Sequence, residues 1–167
     1  MPLSQILFSE LKHEAANTRK VLERVPTEHF DWKPHEKSSS LGRLAAHIAQ
    51  LTSWLDLIVN AEELDFATRN YIPPKVTNST ELLQSFEDHI EKAKAVLQNN
   101  ITDEDLMEKW TLKDGEKVFF TLPKIFALRS MVFNHIVHHR AQLGVYLRLL
   151  DIPVPSIYGP TADEQVM

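Results

Sequence analysis

The chain has 167 residues, a formal net charge of −5 and no cysteine, and its length suits one domain over residues 1–167. The absence of cysteine excludes disulfides, thiolate metal ligands and a cysteine nucleophile. The acidic balance, without any basic stripe, argues against a nucleic-acid-binding protein.

No apolar run approaches the ~20 residues that a helix needs to cross a bilayer. The amino terminus lacks a charged segment followed by an apolar one, so it does not resemble a signal peptide. We therefore expect a cytoplasmic protein without membrane contact.

Apolar residues recur at spacings of three and four in four stretches of the chain, which is typical of helices with one buried face. Pro26 is expected to end the first helix, and Asn99-Asn100 the third. Pro123 suits the first turn of the last helix. The predicted helices cover residues 4–24, 40–63, 80–99 and 123–150.

The connections between these helices differ in length and kind. Residues 66–79, which include Pro73-Pro74, are predicted to form a long crossover. Residues 107–122 alternate around Asp114-Gly115, which predicts a small β-hairpin before the last helix. Three prolines after Leu150 predict an extended tail. We therefore predict an all-α fold, a four-helix bundle with a long crossover connection and a small β-hairpin.

Two histidines lie four positions apart on the last predicted helix. His135 and His139 share an apolar stripe with Val132 and Tyr146, so both imidazoles are expected to face the core. Burial of an imidazole is unfavourable unless its nitrogens have partners. Neutral imidazole is a good ligand for divalent metals, so the pair indicates half of a metal site.

A third inward histidine lies on the second predicted helix. His47 falls in a stripe with Leu44 and Leu51. Helices of a bundle can bring inward histidines together in the core. The candidate metal ligands are therefore His47, His135 and His139, and the alternative for each is a core histidine that is hydrogen-bonded to a neighbour.

Other residues compete for roles in this site. His138 is an alternative to His139, since a spacing of three also suits one helix face, but the stripe of His139 is the more apolar. His35 lies in a predicted loop, and three roles are open for it: a fourth metal ligand, a residue lining a substrate pocket, or a surface residue. Gln142 and Tyr146, one and two turns after the pair, are predicted to orient the ligands.

Several segments resemble the DinB/YfiT-like superfamily of metalloenzymes. They are residues 44–49 and 134–143, which contain the three histidines, together with residues 32–38 and the tail at 156–164. The resemblance implies a four-helix bundle, a three-histidine divalent-metal site and frequent dimerisation. The superfamily that the chain resembles also includes thiol-dependent transferases and isomerases that use small thiol cofactors. Ala141 departs from the glycine common in the family and leaves the candidate ligands untouched. The family name refers to induction by DNA damage, which concerns regulation and not DNA contact.

Three neutral histidines leave a metal with an open position, as in catalytic sites. The ion is expected to be zinc or nickel, and the substrate a small molecule. Two enzymatic functions remain open: group transfer with a low-molecular-weight thiol, which must be external because the chain has no cysteine, and metal-assisted hydrolysis. The third alternative is a non-catalytic metal- or ligand-binding bundle, induced by stress or damage. No His-Glu-x-x-His string is present, which argues against a zinc protease.

The last predicted helix carries a second apolar run beyond its metal-facing stripe. A helix that is apolar on more than one side must be covered on both. We therefore predict a homodimer through this helix, with coverage by the hairpin or the tail as the alternative. The run consists of Phe133, Ile136, Leu143 and Leu147.

Overall fold

The computed structural model describes residues 1–68, 75–99 and 101–165. The Pro73-Pro74 part of the predicted crossover and the helix stop predicted at Asn100 lie outside these ranges. Helices dominate the described chain, and none of those described has both the length and the apolar character to cross a bilayer. The helices are α1 (Leu3–Leu22), α2 (Leu41–Gln50), α3 (Ser53–Asn60), α4 (Ser79–Gln98), α5 (Asp103–Met107), α6 (Lys124–Leu128) and α7 (Asn134–Leu149).

The second predicted helix is divided into α2 and α3. The break lies at Leu51 and Thr52, where backbone N–H groups bond to the carbonyl three residues back, as in Leu51 to Ile48 (3.2 Å) and Leu55 to Thr52 (3.1 Å). This tighter turn separates the two helices without a proline or glycine to signal it. The predicted end at residue 63 is wrong, because the backbone is extended from Ala61 onward.

The predicted hairpin forms, but it belongs to a three-stranded sheet that the all-α prediction missed. The hairpin strands β2 (Lys109–Asp114) and β3 (Lys117–Pro123) are antiparallel, and the turn uses Gly115 at φ 58°. Strand β1 (Glu63–Asp65) pairs with β2 in parallel, with Leu64 opposite Leu112. The fold is therefore mostly helical with a small sheet, and not all-α.

Helix packing places α2 between α4 and α7. Helix α1 also contacts α4 and α7, while α3 contacts α4 and α6. The sheet lies beside α3 and α6. Large apolar side chains from these elements fill the core, among them Leu11, Ile48, Leu55, Phe86, Trp110 and Leu143.

The last predicted helix is one continuous helical run, from α6 through a π-helical turn at Arg129–Phe133 into α7. Its second apolar run does not reach the surface, because each of its four residues is at most 2% exposed within the chain. The motivation for a homodimer was therefore wrong: Phe133, Ile136, Leu143 and Leu147 are core residues.

A buried ion pair fixes α7 to α1 and to the tail. Arg140 lies 2.7 Å from the carboxylate of Glu14, and both side chains are less than a tenth exposed. Arg140 also donates to Thr18 (3.1 Å) and to the hydroxyl of Tyr158 (2.6 Å), which itself donates to Glu14 (2.7 Å). The tail is thus ordered by polar contacts with two helices.

Replacing Arg140 with Met is expected to destabilise the protein by about 3–5 kcal/mol, because it leaves the Glu14 carboxylate buried without its partner. The matched control is Arg148→Met, which removes an exposed ion pair to Asp163 and should cost less than about 1 kcal/mol. Urea unfolding at pH 7 measures both. Equal losses of unfolding free energy in the two variants would show that the buried ion pair contributes no more to stability than the exposed one.

Candidate metal centre

The three predicted histidines lie together, His47 on α2 and His135 and His139 on α7. One ring nitrogen from each lies within 4.8 Å of the others, and the Nε2 atoms of His135 and His139 are 2.9 Å apart. The His47 ring meets the other two rings nearly edge-on, at centroid distances of 5.2 and 4.7 Å. Nitrogens around a tetrahedral zinc lie about 3.3 Å apart. Small side-chain movements would therefore suffice to hold one ion.

Local structure at the start of α2 fixes the position of His47. The N–H groups of Leu41 and Gly42 donate to the carbonyls of Trp32 (2.9 Å) and Phe30 (3.0 Å), and Ser40 caps the helix through its hydroxyl. Gly42 permits this approach, since a Cβ there would lie 2.7 Å from the Phe30 ring. The preceding loop is thus anchored directly to the helix that carries the histidine.

The electrostatic environment keeps two of the inward imidazoles, those of His47 and His135, neutral. Burial is the largest cause that lowers the pKa of His47 to about 4, and the nearby His139, His135 and Arg43 contribute to the same shift. Burial also lowers the pKa of His135, and the neighbouring His139 lowers it as well. Neutral rings offer a lone pair to a metal at pH 7, so the ionisation state suits a ligand role.

Hydrogen bonds to the outer ring nitrogens decide which nitrogens face the centre. The Nδ1 of His139 donates to Oε1 of Gln142 at 2.7 Å, which leaves Nε2 directed towards His135. The predicted contact with Gln142 is thus present. Tyr146 has other contacts: its hydroxyl donates to the Ser39 carbonyl (3.3 Å) and its ring meets the Trp32 ring edge-on. The prediction that Tyr146 orients a histidine was therefore wrong.

The outer nitrogen of His135 has no well-formed hydrogen bond. Its Nδ1 is buried, and the Met131 backbone raises the pKa of the ring without reaching hydrogen-bond geometry. Met131 belongs to the π-helical turn immediately before α7. Such turns displace carbonyls from the regular helical ladder and are frequent near functional sites. Nothing in the sequence marks this turn.

The two alternative histidines lie outside the cluster. His138 is exposed on the outer face of α7, with its ring 4.8 Å from that of His139. His35 is also exposed, and its Nδ1 accepts the N–H of Lys37 at 3.1 Å. Among the described histidines, cysteines and carboxylates, the only group of three or more with ligand geometry is His47, His135 and His139.

A cleft of about 800 Å³ opens beside His47 and His139. The sequence does not reveal this cleft, because its walls come from the loop before α2, from α2, α3 and α7, and from the segment after β1. Its walls include the aromatic residues Phe30, Trp54 and Phe66 and the charged residues Asp31, Arg43 and Lys75. A larger hollow of about 1060 Å³ near the amino terminus has no histidine in its lining, so it is not the candidate site.

A family model described as the DinB family matches residues 1–165. The chain belongs to the DinB family. This confirms the resemblance seen in the histidine-containing segments, and it covers nearly the whole chain.

Two Bacillus subtilis (strain 168) proteins are similar to the chain. The uncharacterized protein YrdA is 27% identical over 169 residues, which are 95% of this chain and 93% of YrdA. The uncharacterized protein YjoA is 30% identical over 147 residues, which are 87% of this chain and 88% of YjoA.

Two crystal structures of DinB-like proteins share the fold. One, from Bacillus cereus ATCC 10987, has a TM-score of 0.67 and 23% identity, and the match covers 88% of this chain and 92% of that chain. The other, YjoA from Bacillus subtilis, has a TM-score of 0.68 and 20% identity over 96% of this chain and 98% of that chain. At these identities the likeness establishes the fold alone.

Metal-free protein is expected to lose stability as the pH falls from about 6.5 towards 4. The folded state keeps His47 neutral because its pKa is lowered to about 4, whereas the unfolded chain takes up a proton at its ordinary pKa. The contribution is therefore fully present above the unfolded pKa and lost on acidification. Urea unfolding in EDTA at several pH values measures it.

The His47→Gln variant should show a shallower decline over this pH range, because glutamine does not titrate. His35→Gln, which alters an exposed histidine, should decline like the wild type. Identical pH profiles for His47→Gln and the wild type would contradict the assignment.

Proposed function

We propose that the chain is a metal-dependent enzyme in which His47, His135 and His139 hold one divalent cation, zinc or nickel. The observation that supports this most is the convergence of three imidazoles beside an open cleft. A cation with three imidazole ligands retains an open position and supplies a Lewis acid that lowers the pKa of a thiol or water coordinated there.

Within this proposal, the reaction is group transfer with a low-molecular-weight thiol as nucleophile. The sulfur must be external, because the chain contains no cysteine. The substrate is a small molecule, which suits a cleft of about 800 Å³. Gln142 holds His139 in the tautomer that directs Nε2 towards the centre.

Metal-assisted hydrolysis is the second candidate. It is favoured by Asp31, a carboxylate in the wall of the same cleft, which offers a group able to accept a proton from water. Hydrolysis would require Asp31 as the proton acceptor, whereas thiol transfer assigns no role to Asp31. The Asp31→Asn variant therefore separates the two reactions.

Two structural proposals accompany the function. We infer that α1, the α2–α3 pair, α4 and the α6–α7 run act as the four members of a bundle. A homodimer is proposed on the family resemblance alone, since the apolar run that first motivated it is buried within the chain. Sedimentation at micromolar concentration tests the dimer, and a single monomeric species would reject it.

Metal content after each histidine substitution tests the site. His47→Ala, His135→Ala and His139→Ala should each weaken metal affinity at least about tenfold, and so lower the metal content at limiting metal, because removing a direct ligand costs no less than removing its supporting hydrogen bond. The control His138→Ala changes the adjacent, exposed imidazole and should retain the metal. Wild-type occupancy in the first three variants would reject the metal site and leave three core histidines.

Activity of the metal-loaded protein tests the reaction. A panel of small thiols with electrophilic acceptors should show turnover that is lost in His139→Ala and kept in His138→Ala and Asp31→Asn. Ester hydrolysis that depends on Asp31 would favour the second candidate. Bound metal without turnover in either panel would indicate a non-catalytic binding protein.

A further inference from the structure

Arg43 differs from the other arginines that the structure describes. Each of the five others forms an ion pair with a carboxylate. Arg43 is exposed and forms no ion pair within the described part of the chain. It lines the same cleft as His47 and lies one helical turn before it on α2. An unpaired guanidinium beside a candidate reaction centre suits an anionic ligand.

The charge in the cleft is opposite to that of the whole chain. The chain has a net charge of −5, yet among the residues that the structure describes the cleft walls hold Arg43 and Lys75 against a single carboxylate, Asp31. Three neutral histidines holding a divalent cation would increase the positive charge further. A local positive field in an acidic protein attracts small anions to this cleft.

The backbone at the start of α2 does not offer the anion a second site. The N–H groups of Leu41 and Gly42 already donate to carbonyls of the preceding loop, and that of Arg43 donates to the Ser40 hydroxyl at 3.3 Å. Among the described residues at this end of the helix, the Arg43 side chain is therefore the cationic group that an anion can pair with. Its planar guanidinium matches a carboxylate with two parallel hydrogen bonds.

Aromatic side chains occupy another part of the cleft wall. Trp54 is half-buried and meets Phe66 edge-on at 6.2 Å, and Phe66 is 39% exposed. Partly exposed aromatic rings grouped beside a cleft provide an apolar surface whose burial by a ligand is favourable.

We propose that the cleft binds a small organic carboxylate with an apolar or aromatic portion. The carboxylate pairs with Arg43, Lys75 adds longer-range attraction, and the apolar portion lies against Trp54 and Phe66. The Cβ atoms of side chains one helical turn apart, such as Arg43 and His47, are about 5–6 Å apart. One short ligand can therefore place its carboxylate at Arg43 and its reacting atom beside His47. The proposal rests on the proposed function in one respect, which is that the reacting end of the ligand lies at the histidines.

Binding of two matched probes tests the proposal. The probes are 4-phenylbutyrate and 4-phenylbutyramide, which differ in charge and little in shape, and calorimetry measures their binding to the zinc-loaded protein. The acid should bind at least tenfold more tightly than the amide. Arg43→Gln should abolish this preference, and Arg43→Lys should keep part of it.

The control variant is Lys20→Gln, which removes one positive charge from an exposed position on α1 outside the cleft and should keep the full preference. Metal content is measured for every variant, so that a change in ligand preference is separated from loss of the ion. Equal binding of acid and amide by the wild type, or no binding of either up to 10-millimolar concentrations (about tenfold above a 1 mM Kd), overturns the proposal. The proposal is also overturned if Arg43→Gln still prefers the acid over the amide, because the carboxylate would then bind the metal.

Failure of this inference and failure of the proposed function have different signatures. A protein that takes up no metal but prefers the acid through Arg43 would reject the metal enzyme and retain the carboxylate site. A protein that holds metal through the three histidines but shows no dependence on Arg43 would retain the metal centre and reject the carboxylate site.

Discussion

The packing of α2 against α7 is the constraint on which the candidate site depends. It brings His47 opposite His135 and His139, and no other helix pair supplies a second group of this kind within the described residues. The imidazoles are partly buried there, which keeps His47 and His135 neutral by lowering their pKa values. Neutrality and convergence arise from the same packing, so the geometry and the protonation state of the site are linked.

Two anchors hold these helices in place. At the start of α2, the Phe30 ring lies against Gly42, and two backbone hydrogen bonds join the preceding loop to the helix. On α7, Arg140 follows His139 directly and pairs with Glu14 of α1 in the protein interior. Tyr158 extends this ion pair to the tail. Elements distant in sequence thus restrict the movement of the two helices that carry the histidines.

Much of the site could be predicted from the sequence, because helical spacing alone places His135 and His139 on one face and His47 inward on a different helix. The preference for His139 over His138 was also accessible, since only the former shares a stripe with His135. Apolar periodicity located most helical residues for the same reason: a buried face leaves a regular pattern.

The features that were missed depend on tertiary contacts or on small backbone changes. The break at Leu51 and Thr52 and the π-helical turn at Arg129–Phe133 involve no proline or glycine. Strand β1 has three residues and forms by pairing with β2, which no local pattern shows. The second apolar run of α7 was assigned to a dimer because its neighbours in the fold were unknown. The cleft combines residues that are far apart in the sequence and has no sequence signature.

The most direct measurement of the central claim is X-ray absorption at the zinc edge of the zinc-loaded protein. The account predicts three imidazole nitrogens at about 2.0–2.1 Å, with the remaining position occupied by a light atom from solvent or buffer. His138→Ala should leave this spectrum unchanged, and His139→Ala should remove one imidazole. A first shell made only of carboxylate oxygens, or a spectrum unaffected by His139→Ala, would contradict the account.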